Sequence, residues 1–64
     1  MSVYVDFLYK KKTTRTYEEG SKEFSDPVQA LRFMYYMANH GGLITGYRAD
    51  DPDDYEYLKR RFLF

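Results

Sequence analysis

Residues 2–10 read SVYVDFLYK, and this stretch decides the fold. Val3, Val5, Phe7 and Tyr9 recur at every second position, which is the period of a β-strand and gathers them on one face. Tyr4 and Leu8 make the opposite face partly apolar too. A strand with apolar residues on both faces belongs at the centre of a sheet rather than its edge. Outward from it, the polar residues 10–13 read as a turn. Residues 14–19, rich in Thr and Tyr, read as a second strand folded back as a hairpin. No Asn-Gly or Asp-Gly pair fixes the turn type. Gly20 and Ser21 loosen the chain before a short continuation to Phe24.

A helix is signalled next. Asp26 is a capping residue, Pro27 suits the first helical position, and Gln29 stands where a capping box would place it. Residues 28–38 are apolar apart from Gln29, Arg32 and the tyrosine hydroxyls. Helical spacing puts Val28, Leu31, Met34, Tyr35 and Ala38 on one stripe and Ala30, Phe33 and Met37 on an adjacent one. Asn39, His40 and Gly41 end the helix, with Gly41 as a left-handed cap. Residues 43–49 read as a third strand, in which Gly46 marks a bulge or a close backbone approach. Asp51 and Pro52 then repeat the helix start signal. Asp53, Asp54 and Glu56 complement the positive end of this second helix, and Lys59, Arg60 and Arg61 its negative end. Glu56 and Arg60 stand at pairing distance along it. Tyr55, Leu58 and Phe62 form its apolar stripe.

The order is therefore ββαβα, an α+β fold in one compact domain over residues 1–64. The first helix returns the chain so that strand 3 pairs antiparallel to the free side of strand 1. The expected sheet is three-stranded and antiparallel, in the order 2-1-3, with helix 1 on one face. If the core absorbs every apolar residue, helix 2 covers the second face.

With 64 residues and no Cys, the chain has neither disulfides nor thiol chemistry. Lack of cysteine suits a reducing compartment. The opening MSVYVDFLYKKK lacks the basic start and small-residue cleavage site of a secretory signal. No apolar run approaches the roughly 18 residues that span a bilayer. A soluble, cytoplasmic protein that engages no membrane is expected. Ten basic residues balance ten acidic ones, which excludes a globally basic nucleic-acid coat and a globally acidic mimic. The charge is blocked locally: Lys10, Lys11, Lys12 and Arg15 are basic, Asp50 to Glu56 acidic, and Lys59 to Arg61 basic again.

Each candidate for chemistry has an ordinary structural account. The run Asp50-Asp51-Pro52-Asp53-Asp54 is a helix start, and Pro52 breaks the spacing of an EF-hand loop. His40 sits at a helix C-terminus, without the neighbours of a catalytic triad. Glu18, Glu19 and Glu23 lack the volume of a substrate cleft between them. Gly41-Gly42 precedes a strand and lacks the Lys-Ser/Thr of a phosphate loop. No catalytic residue, metal ligand or cofactor is expected.

Eight Tyr and five Phe are more than a core of this size obviously needs, so some are left for binding. Tyr and Arg are the usual anchors of protein interfaces. The expected function is that of a small non-catalytic protein-interaction module, bound to another protein or to a second copy of itself. Tyr36, Tyr47, Tyr57, Arg60, Arg61 and Phe64 are the candidate contacts. In size and style the chain is similar to viral or mobile-element accessory proteins that bind and modulate a host protein, which would place it in the host cytoplasm. The alternative is a nucleic-acid binder using the hairpin tip. Lys10, Lys11, Lys12 and Arg15 would neutralise phosphates there, beside Tyr9 and Tyr17, which can stack on bases.

Overall fold

The computed structural model describes residues 2–10 and 16–62. It contains β1 (Val3–Lys10), β2 (Tyr17–Phe24), α1 (Pro27–Asn39), β3 (Leu43–Ala49) and α2 (Pro52–Arg61). The strands form an antiparallel sheet in the order β2-β1-β3. This is the expected ββαβα architecture, with β1 at its centre.

β1 runs in register with β2 from Val3 opposite Phe24 to Lys10 opposite Tyr17. On its other side Val3 pairs with Ala49 and Leu8 with Leu43, with a register shift between Asp6 and Phe7. Gly46 faces Asp6 and Ile44 faces Phe7, so Thr45 is the extra residue of the bulge. The bulge lies beside the glycine that signalled it.

β2 takes in the expected continuation to Phe24, and it runs through Gly20 and Ser21 without a break. Its residues carry little strand propensity of their own. Pairing with β1 imposes the conformation. Gly20 lies opposite Phe7, and a Cβ there would come within 2.6 Å of the Phe7 ring. Glycine is required at this point so that the ring can lie against the neighbouring backbone.

Val3, Val5, Ala30, Met34, Ile44, Leu58 and Phe62 form one buried cluster. It contains residues from α1 and from the C-terminal half of α2, together with the face of β1 that holds Val3 and Val5. α1 contacts all three strands, and α2 contacts β3 and α1. Helix 2 therefore does not cover the second sheet face; it joins helix 1 on the first. The Tyr35 ring packs on Phe62 at 5.5 Å, and its hydroxyl donates to the Arg61 carbonyl at 2.5 Å. These contacts fasten the end of α2 to α1.

Two details of the helix faces also differ from the spacing argument. In α1, Ala30 and Met34 are buried while Val28, Tyr35 and Ala38 are exposed. In α2, Leu58 is buried and Tyr57 half-buried, and Tyr55 turns outward. A helix that is apolar around much of its girth does not encode its own rotation, and the packed partner decides it.

Both helix starts are built as expected. The Asp26 carboxylate accepts from the Val28 amide at 2.8 Å, and the Asp51 carboxylate from the Asp53 amide at 2.9 Å. Asp26→Ala and Asp51→Ala should each cost about 1 kcal/mol, because each leaves a helix-end donor without its partner. The double variant should lose about the sum, since the caps serve different helices. Urea denaturation followed by circular dichroism measures both. A loss below about 0.3 kcal/mol for either would show that water replaces that cap at no cost.

Candidate functional site

Because both helices lie on one side, the other sheet face has no covering layer among the described residues. Strand alternation brings Tyr4, Asp6 and Leu8 to it from β1, and Glu23, Ser21, Glu19 and Tyr17 from β2. β3 adds Arg48 beside Tyr4 and Leu43 beside Leu8. The Arg48 guanidinium stacks over the Tyr4 ring at 4.8 Å. Leu43 is 56% exposed and Tyr17 60%. With half-buried Leu8 between them, they form an apolar patch at the hairpin end of the face. Toward the middle, Asp6, Glu19, Gly20, Ser21 and Thr45 line a shallow depression of about 450 Å³. Gly20, Ser21 and Thr45 are short, so the Asp6 carboxylate is exposed there, with Glu19 on the same depression. At the far end, the Ser2 hydroxyl donates to Glu23, and the Ser2 amide donates to the Asp50 carboxylate at 3.1 Å.

A second surface lies on the helical side, where the C-terminal half of α1 crosses β1 and β2. Phe7, Tyr9, Phe33, Tyr36 and Met37, with Lys10, Lys22 and His40, line an open groove of about 460 Å³. Phe33 meets Phe7 edge-on, with centroids 5.1 Å apart, and Phe24 at 5.3 Å. The Lys22 ammonium lies over Phe33 at 5.3 Å and over Phe24 at 5.6 Å. Tyr9 donates to the Glu18 carboxylate at 3.0 Å. Tyr36 stacks on His40 at 4.2 Å, and His40 Nδ1 lies 2.7 Å from the Tyr36 carbonyl. The histidine is thus engaged at the helix end.

The candidate residues are divided among these places. Tyr36 is 58% exposed, and it shares the groove with Lys10. One residue from the protein-interface set and one from the nucleic-acid set therefore meet there. Tyr47 is half-buried against the core, with its ring 5.4 Å from Tyr55. Burial raises the Tyr47 hydroxyl above its ordinary pKa, and the nearby Tyr55 and Glu56 add to the effect. Tyr57 also packs against the core, and the Arg61 guanidinium covers its ring at 3.9 Å. Arg60 is exposed. Lys11, Lys12, Arg15 and Phe64 lie outside the described residues.

The sequence reading missed Leu8, Leu43 and Arg48 as surface anchors. Leu8 counted only toward the partly apolar second face of the strand, and Leu43 only as the start of the third strand. Lys22 also went unnoticed, because its place over the aromatic rings depends on β2 extending past Gly20.

Among the described residues no group of His, Asp and Glu is arranged to hold a metal ion, and no helix is long and apolar enough to cross a membrane. The chain matches no protein-family model, no curated protein and no solved structure.

Proposed function

We propose that this chain is a small non-catalytic interaction module that acts by laying its uncovered sheet face on another protein and so modulating it. The observation that carries the reading is that face itself: a three-stranded sheet with helices on one side only, and Tyr4, Arg48, Leu8, Leu43 and Tyr17 displayed on the other. Layered folds ordinarily bury such a face against a second layer. Aromatic and arginine anchors with an aliphatic patch and a charged rim are the composition of a protein interface. Asp6, Glu19 and Glu23 stand on the same face and would repel phosphates, which favours a protein over a nucleic acid. A cytoplasmic setting suits the absence of cysteine.

The test uses a photo-crosslinking residue at Thr45, in the centre of the face, and the double variant Tyr17→Asp with Leu43→Asp. Both altered side chains are exposed, so the far-ultraviolet circular dichroism should not change. Crosslinked partners should be lost with the double variant. The reading fails if the same partners are captured at the same yield. Light scattering separates the two sources of partner: a dimer that becomes a 7.7 kDa monomer in the double variant identifies a second copy. Retention on DNA or RNA that falls steeply with salt, and is lost when Lys10, Lys11, Lys12 and Arg15 become Glu, would replace this reading with the nucleic-acid one.

A further inference from the structure

The aromatic groove is a separate surface from the sheet face, and its chemistry is more selective. Its floor is made by Phe7 and Tyr9 from β1 and by Phe33, Tyr36 and Met37 from α1. The charged side chains that line it are Lys10 and Lys22, with His40 beside them, and the Glu18 carboxylate stands at its edge, where the Tyr9 hydroxyl donates to it at 3.0 Å. In a chain whose acids and bases balance ten to ten, two lysines against one hydrogen-bonded carboxylate give the groove a positive sign of its own. Lys22 is also held over the Phe33 and Phe24 rings, so one positive charge is stationed at the apolar wall. Met37 supplies a side chain that can adapt its shape to an inserted group. The volume, about 460 Å³, falls within the ordinary range of ligand sites.

An apolar floor with a basic rim is complementary to one kind of occupant. It must bring a large apolar group for the floor and negative charge for the rim. We propose that the groove binds a short acidic segment of a partner protein, anchored by one aromatic side chain with Asp or Glu residues on either side. The aromatic group lies on the surface that Phe7, Phe33 and Met37 form together. The flanking carboxylates meet Lys22 on the β2 side and Lys10 at the end of β1.

A nucleotide also combines an aromatic ring with negative charge, but the ring geometry favours a peptide. Base binding to a sheet or groove uses a ring face on which the base lies flat. Here Phe7 and Phe33 meet edge-to-face at 68°, and Tyr36 already stacks on His40 at 20°. An aromatic side chain can meet such a cluster edge-to-face, which is a favoured aromatic geometry.

The experiment is an amide chemical-shift titration of the full chain with the blocked peptide Asp-Glu-Phe-Asp-Glu. Saturable shifts are expected at Phe7, Tyr9, Phe33, Tyr36 and Met37, with a Kd on the order of 0.1–1 mM for so short a ligand. Raising salt from about 50 to about 300 mM should weaken binding several-fold, because the charge pairs are at the surface. Ala in place of the peptide Phe, or Lys in place of its acids, should abolish the shifts. Lys22→Glu should weaken binding about tenfold or more and Lys22→Arg should retain it; Lys22 is exposed, so neither should disturb the fold. The proposal is overturned if about 5 mM peptide moves none of these amides. It is equally overturned if the lysine-substituted peptide binds as well, or if adenosine monophosphate moves the same amides at lower concentration. The Tyr17→Asp with Leu43→Asp variant should leave this titration unchanged, so failure of the sheet-face reading and failure of the groove are separately visible.

Discussion

Leu58→Ala is expected to leave most of the chain unfolded at 25 °C. Leu58 is fully buried, and it is the contribution of α2 to the common core, joined there by Phe62 just past the helix end. Removing three carbon atoms from such a site costs about 2–5 kcal/mol, the lost transfer energy adding to the cavity left behind. A domain of this length rarely holds more than about 3–5 kcal/mol in total. The loss is therefore comparable with the whole stability. The surroundings are poorly placed to collapse into the space, because Val3, Val5 and Met34 in the same cluster are themselves fully buried in β1 and α1. Arg60→Ala two residues later is the control: it is exposed and should change stability by less than about 0.5 kcal/mol. Urea titrations of the two variants beside the parent chain decide the matter. A Leu58→Ala midpoint close to that of the parent would mean that α2 is not part of the cooperative core.

That result would also test the main departure of the structure from its sequence. The strand order was legible because β1 has apolar residues on both sides of its pleat. Both helix starts were legible because Asp-Pro is a local signal whose geometry needs no tertiary help. The third strand and its bulge were legible for the same reason, through Gly46. The side on which α2 packs was not. Tyr4 and Leu8 gave the second sheet face enough apolar character to ask for a covering helix, and nothing local in residues 52–61 says which face receives it. What decides is the core on the first face. Val3 and Val5 line that face, and Leu58 and Phe62 complete the cluster between it and α1. Tyr4 is instead capped by Arg48, and Leu8 lies beside an exposed leucine, so the second face keeps its apolar residues at the surface.

The same displacement explains why the surface anchors were only partly legible. Tyr36 stood out by its position beside Tyr35, and it does lie exposed. Tyr47 and Tyr57 looked like spare aromatics, yet both pack against the core, because with α2 on the first face Tyr47 meets Tyr55 and Tyr57 is roofed by Arg61. The surplus of aromatic residues is real, but it is divided among three places: a core that reaches out to half-buried rings, the groove at the end of α1, and the uncovered sheet face with Tyr4 and Tyr17.

The groove depends on how α1 ends, and Gly42→Ala is expected to lower stability by about 2–3 kcal/mol while disturbing it. α1 stops through two adjacent glycines that do different work. Gly41 has φ of +82°, a left-handed conformation that other residues adopt only at a cost, but a Cβ there would meet nothing within 4 Å. Gly42 has no such φ, yet a Cβ there would lie 2.9 Å from the Met37 carbonyl oxygen, 2.8 Å from the Met37 methyl and 3.2 Å from its Cβ. The methyl can swing aside; the carbonyl cannot, because the Gly42 amide donates to that same oxygen at 2.8 Å. Relieving the clash therefore means stretching or losing this hydrogen bond, in addition to the overpacking cost of about 1–3 kcal/mol. Gly41→Ala should cost only about 1–2 kcal/mol, the conformational penalty alone, and Gly41→Asn less, since Asn tolerates the left-handed region. Met37 and His40 both line the groove, so the two sites should also differ in what they do to binding. In Gly42→Ala the Met37 methyl resonance should shift and acidic-peptide binding should weaken, whereas Gly41→Asn should leave both unchanged. Thermal denaturation with methyl spectra of the three variants measures the contrast. Equal stability of Gly42→Ala and the parent chain would show that the end of α1 relaxes away from the strand that follows, and that the groove does not rely on this closure.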